Sequence, residues 1–134
     1  MTPHDDADEG WQRVSSERSG VAPELRALVA TVCREIRRKP TDRSALQSAL
    51  EDLLSFLSSS HGRTDANCRT VDYFFCMPEV YGLSVNWDHV PEEFQDILQD
   101  LAMGLHDTIT APDIARRCDS TPEQLLEKLR RIIP

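Results

Sequence analysis

Residues 46–57 read Leu-Gln-Ser-Ala-Leu-Glu-Asp-Leu-Leu-Ser-Phe-Leu, the most apolar regular stretch of the chain. Its apolar side chains recur every three or four positions, a spacing that places them on one side of an α-helix. Thr41 or Asp42 can cap the start of this helix, and Gly62 suits a left-handed residue just after its end. The stretch therefore predicts a long amphipathic helix at the centre of a helical core.

The same spacing continues on both sides of this central helix. It predicts a first helix over about residues 23–38, a third from Thr64 to before Pro78, a fourth that opens around Pro91, and a short pair over 110–131. The sequence thus predicts an all-α fold, a compact bundle of four main helices with a short C-terminal helix pair. The side chains expected in the core are Leu28, Val32, Leu50, Leu53, Leu57, Val71, Phe75, Phe94, Ile97, Leu98, Leu101 and Leu125.

A chain of 134 residues corresponds to one domain by its length. Its first twenty residues contain few large apolar side chains apart from Trp11 and Val14. Residues 1–21 are therefore predicted to form a flexible acidic N-terminal tail, which precedes a single helical domain over residues 22–134. The N-terminus is acidic where a signal peptide would be basic, and no apolar run reaches the ~20 residues that a membrane span needs.

The cysteine positions indicate the compartment. No two cysteines form a C-x-x-C pair, so a zinc ribbon or a redox motif is not expected. Each falls on or next to a predicted apolar helix face, which suggests buried thiols in a reducing environment, and we expect a cytoplasmic protein. The four residues are Cys33, Cys68, Cys76 and Cys118.

Few residues in the sequence suit catalysis or metal binding. The His106-Asp107 dipeptide resembles the ligand pair of metal-dependent phosphohydrolases, which are helical enzymes that take further His and Asp ligands from other helices. With His61 and Cys68 as the other candidates, the chain does not supply that full ligand set. It also contains no G-x-S-x-G motif and no glycine-rich phosphate loop. The sequence therefore predicts no enzyme, no metal and no cofactor.

An acidic stretch without lysine or arginine runs from Thr70 to Ala115, in a chain whose formal charge is −8. Acids of the predicted fourth helix lie beside one another, away from its apolar side. We expect this face to bind a protein with a basic surface, with nearby aromatic residues as anchors; the alternative is a solvated face that only maintains solubility. The predicted partner-binding residues are Tyr81, Trp87, Glu92, Glu93, Asp96 and Asp100.

These features predict a small acidic helical protein-binding module, an inhibitor or immunity-type protein that acts on a basic partner. In size, helicity and charge the chain is similar to bacterial immunity proteins, without a matched motif. Membrane partners are not expected, and an acidic chain is poorly suited to bind nucleic acid because phosphate neutralisation needs clustered basic residues.

The C-terminal helix pair suggests a different function. Thr110-x-x-Asp113-Ile114-Ala115, followed by Thr121-Pro-x-x-Leu125-x-x-x-Leu129, resembles in its spacing the helix-turn-helix of transcription regulators. The resemblance covers residues 110–131 and implies that Ile114, Ala115, Leu125 and Leu129 lock the two helices together, with the second helix facing a major groove. A helix-turn-helix DNA-binding regulator is therefore the alternative hypothesis.

Overall fold

The computed structural model describes residues 20–76 and 88–134, and 73% of these residues are helical. The described residues contain no strand, so the predicted all-α class is confirmed. Within them, no helix has the length and apolar character needed to cross a membrane. The helices are α1 (Pro23–Arg37), α2 (Arg43–Ser58), α3 (Asp65–Cys76), α4 (Glu92–Met103), α5 (Asp107–Thr110), α6 (Pro112–Arg117) and α7 (Pro122–Ile132).

Local signals set most of these helix ends. The Asp42 side chain accepts the backbone N–H of Ala45 at 3.1 Å and so caps α2, as the sequence predicts. At α7, Thr121 and Gln124 form a complete capping box around Pro122, which occupies the first helical position. Such caps satisfy backbone donors that have no partner within the helix, and they fix where the helix starts.

The turn between α2 and α3 is tighter than the sequence predicts. Gly62 does not adopt a left-handed backbone conformation. Glycine is required at this position for steric reasons, because a Cβ would overlap the carbonyl group of Phe56. Asn67, which is buried, braces the turn by donating to the Gly62 carbonyl at 2.9 Å and accepting the Ala22 N–H at 2.9 Å. One amide side chain thus joins the start of α1 to the start of α3.

The core is formed along α2, which packs against α1 on one side and α7 on the other, while α3 packs against α4. Every side chain predicted for the core is buried except Leu28, which is partly buried against it. The predicted arrangement of four main helices with a short C-terminal helix pair is not confirmed, because α7 packs along α2 rather than pairing mainly with α6. Val21, the last residue of the predicted tail, also packs against this core; residues 1–19 of that tail lie outside the described residues.

Candidate functional site

The exposed side of α4 is a straight row of side chains opposite the core. Four residues spaced by four, three and four positions share this side, and 3.6 residues per turn keep them in line. The core contacts come from the other side of the helix, through residues such as Phe94, Ile97 and Leu101. We call this row the α4 ridge; its members are Glu92, Asp96, Gln99 and Met103, and all are exposed.

Two of the predicted partner-binding acids lie near basic residues of neighbouring helices. Glu93 pairs with Arg43 of α2 at 2.5 Å. Asp100 is half-buried: burial raises the pKa of its carboxyl, while Lys128 of α7 acts against that rise and Asp96 adds to it. Glu93 therefore has an arginine partner and Asp100 feels a nearby lysine, whereas Glu92 and Asp96 are exposed acids with no ion pair among the described residues.

The two predicted aromatic anchors, Tyr81 and Trp87, lie outside the described residues and stay predictions. A different pair of large side chains is exposed at the C-terminal end of the ridge. Met103 is 75% exposed and Tyr73, on α3, is 39% exposed. Both line a cavity of about 280 Å³ between α3, the end of α4 and His106. We call this cavity the α3–α4 pocket; its lining is Arg69, Asp72, Tyr73, Ala102, Met103 and His106.

A buried carboxylate holds one wall of the α3–α4 pocket in place. Asp72 of α3 accepts the backbone N–H groups of Leu105 at 3.1 Å and His106 at 2.9 Å, and its Oδ2 lies 2.5 Å from Nδ1 of the His106 ring. The other ring nitrogen, Nε2, lies 3.4 Å from the Asp107 carboxylate. Burial raises the pKa of Asp72, whereas the His106 backbone and imidazole, and then the Leu105 N–H, act against that rise. The carboxylate thereby fixes the corner between α4 and α5 to α3.

The sequence signals for this pocket were weak. Asp72 stands among buried residues of an apolar helix, where an acid needs a partner, but the spacing does not reveal a partner 34 residues later in the chain. Met103 could have been found, because it continues the line of Glu92 and Asp96 at helical spacing.

Metal-binding residues do not cluster in the described part of the chain. No group of three or more His, Cys, Asp or Glu side chains there could hold a metal ion. The His106-Asp107 pair instead joins Asp72 in contacts between helices. Cys33 and Cys68 are buried thiols, and burial raises the pKa of Cys68 to about 12. The expectation of burial is wrong for Cys118, which is exposed.

The C-terminal pair differs from the predicted helix-turn-helix in two ways. Ile114 is 48% exposed, so the prediction that it locks the two helices together is wrong, although Ala115, Leu125 and Leu129 are buried. Three arginines of α6 and α7 lie beside acids, and exposed ion pairs of this kind leave less free positive charge for phosphates. The pairs are Arg116–Asp113, Arg130–Glu51 and Arg131–Glu127.

No protein-family model matches this chain, and neither a curated protein nor a solved structure matches it.

Proposed function

We propose that this chain is a protein-binding module, rather than an enzyme, that recognises a basic partner through the α4 ridge, as an inhibitor or immunity-type protein would. One observation carries the proposal. The ridge places Glu92 and Asp96, two acids without an ion-pair partner among the described residues, in line with Met103, the most exposed large hydrophobic side chain described. Acids that steer a partner, next to an apolar side chain that can be desolvated, are the two parts of a protein-binding surface.

A face that only maintains solubility accounts less well for the ridge. Solubility needs charge, and Glu92 and Asp96 supply it, but a methionine that is 75% exposed adds nothing to it. Glu92 and Asp96 are also like charges four positions apart, an arrangement that costs a helix a few tenths of a kcal/mol. A basic partner would relieve that repulsion at the moment it covers Met103.

Neighbouring helices hold the ridge in a fixed orientation. The Arg43–Glu93 pair joins the first turn of α4 to α2, and the positive charge of Lys128 on α7 acts on Asp100 near the other end. A surface pair such as Arg43–Glu93 contributes only about 0–1 kcal/mol. Because Glu93 already has a partner, Glu92 and Asp96 are the acids available to a basic surface.

The helix-turn-helix alternative has less support, because Arg116, Arg130 and Arg131 lie beside acids and α7 turns its apolar side into the core. A cytoplasmic location also remains our proposal, and cysteines that form no disulfide, Cys33, Cys68 and Cys118, are compatible with it.

The proposal is tested by changing the two free acids of the ridge. The full chain and the variant Glu92→Gln/Asp96→Asn are used to capture partners from the native host, and association rates with the captured protein are then measured at low and high salt. We expect the variant to associate several-fold more slowly at low salt, with the difference shrinking at high salt, because screening removes electrostatic steering.

A matched variant controls for net charge. Asp52→Asn/Glu127→Gln also removes two exposed carboxylates, but from α2 and α7. It should associate like the wild type. Equal rates for all three proteins at both salt concentrations would reject the ridge as a binding surface.

A further inference from the structure

The α3–α4 pocket has the size of one large side chain. Its volume of about 280 Å³ equals the space of roughly nine water molecules, and it falls just below the ~300–1,000 Å³ range of small-molecule sites. The pocket opens beside Met103, so it lies at the C-terminal end of the α4 ridge. An occupant could therefore belong to the same partner that meets Glu92 and Asp96.

Two polar groups around the pocket already have partners within the fold. Asp72 accepts the backbone N–H groups of Leu105 and His106, and Arg69 donates from Nε to Asp65 at 2.9 Å. The apolar part of the lining comes from Tyr73, Ala102 and Met103. Such a surface favours an aromatic guest, because ring–ring and sulfur–ring contacts add to the burial of apolar area.

We propose that the α3–α4 pocket receives one aromatic side chain of the basic partner, so that this side chain anchors the complex while the ridge pairs with basic residues. This inference rests on the proposed function. Glu92 and Asp96 of the ridge, which are exposed, favour a guest whose flanking residues are basic.

The ridge sets the spacing of that partner segment. Asp96 lies seven residues from Met103, about 10 Å along the helix, and Glu92 lies four residues further, about 6 Å. An extended chain covers about 3.3 Å per residue. A matching extended segment therefore has an aromatic residue, a basic residue three positions away and a second basic residue two positions beyond that.

The test uses acetylated and amidated peptides with the full chain. One peptide is Trp-Gly-Gly-Arg-Gly-Arg, a second is the same sequence reversed, and two controls replace Trp by Leu in each direction. Binding is followed by NMR of the three methionine methyl groups, with the Met103 signal assigned from its loss in Met103→Leu. We expect at least one Trp peptide to give a saturable upfield shift of the Met103 methyl and to bind about 3- to 10-fold more tightly than its Leu control.

Two variants locate the binding. Tyr73→Ser should abolish the Met103 shift, whereas Ile114→Ser, which removes a similarly exposed hydrophobic side chain from α6, should leave it unchanged. Thermal unfolding by circular dichroism confirms that both variants fold. An unmoved Met103 signal, Leu peptides that bind as tightly as Trp peptides, or full binding by Tyr73→Ser would each overturn the anchor proposal.

The outcomes also separate the anchor from the ridge. Arginine-dependent binding that Glu92→Gln/Asp96→Asn weakens, without movement of the Met103 signal, would reject the anchor and support the ridge. A Met103 shift that is just as strong in Glu92→Gln/Asp96→Asn would support the anchor and reject the ridge.

Discussion

At the scale of single residues, the turn between α2 and α3 depends on the small size of residue 62. The chain passes so close to the Phe56 carbonyl that a side chain at Gly62 has no room. The Gly62 N–H is bonded to the Ser59 hydroxyl at 2.9 Å, and its carbonyl accepts from Asn67. The residue is therefore held on both sides and cannot move away to accommodate a methyl group.

We expect Gly62→Ala to destabilise the protein by about 1–3 kcal/mol or more. The added Cβ overlaps the Phe56 carbonyl group, and residue 62 cannot move away without breaking its own hydrogen bonds to Ser59 and Asn67. Urea unfolding measures the change. Gly104→Ala is the control, since a Cβ there would meet its nearest atom at 3.7 Å, an ordinary contact. An equal loss of stability in both variants would contradict the steric explanation.

At the scale of elements, the sides of helix α4 have different surroundings. Its apolar side enters the core, a second side carries Glu93 and Asp100 toward α2 and α7, and the α4 ridge faces solvent. Its C-terminal end is fixed to α3 by the Asp72 carboxylate. The short helix α5 starts from this fixed corner, with His106 at its N-cap position.

Asp72 should make stability depend on pH. Burial raises its folded-state pKa above the ordinary value of 3.8, so the folded protein binds more protons than the unfolded chain between the two values. Stability contributed by this group is therefore lost as pH rises from about 4 through the raised pKa, and the loss is complete above it.

The variant Asp72→Asn tests this dependence. It cannot titrate, so its unfolding free energy should fall less than that of the wild type over this pH range. It should also be less stable by about 1–3 kcal/mol near neutral pH, because one amide oxygen cannot accept all three donors. Denaturant unfolding from pH 4 to 8 measures both effects. The pKa of Asp100 is also raised, so the two proteins are compared by how steeply their unfolding free energy changes with pH. Identical slopes in wild type and Asp72→Asn would exclude Asp72 as the cause.

At the scale of the whole molecule, charge decides between the two classes of partner. The chain carries a formal charge of −8, and two of the basic residues on α6 and α7, Arg116 and Arg131, pair with acids. An approaching phosphate backbone therefore meets net repulsion, whereas a basic protein is attracted.

We accordingly expect no binding of the full chain to mixed-sequence duplex DNA at physiological salt, as measured by fluorescence anisotropy. If DNA did bind, affinity should fall with salt at a slope near −0.9 per phosphate neutralised. Selection from a random oligonucleotide pool that returned an enriched palindrome would favour the helix-turn-helix hypothesis over the protein-binding one.

The sequence by itself determined the helical class, most helix boundaries and the membership of the core. These features are local: a cap at Asp42 or Thr121 acts within three residues, and the apolar spacing in α2 repeats within one turn. Leu28 and Cys118 depart from the predicted burial because the width of an apolar stripe does not specify how far a neighbouring helix extends over it.

Only the tertiary structure decided which acids are free. Glu93 pairs with an arginine 50 residues earlier in the chain, and Asp72 accepts a backbone N–H from a residue 34 positions later. No spacing within α3 or α4 encodes these partners, because they depend on how the helices pack. The same packing brings Tyr73 beside Met103, and so creates a pocket that neither helix has alone.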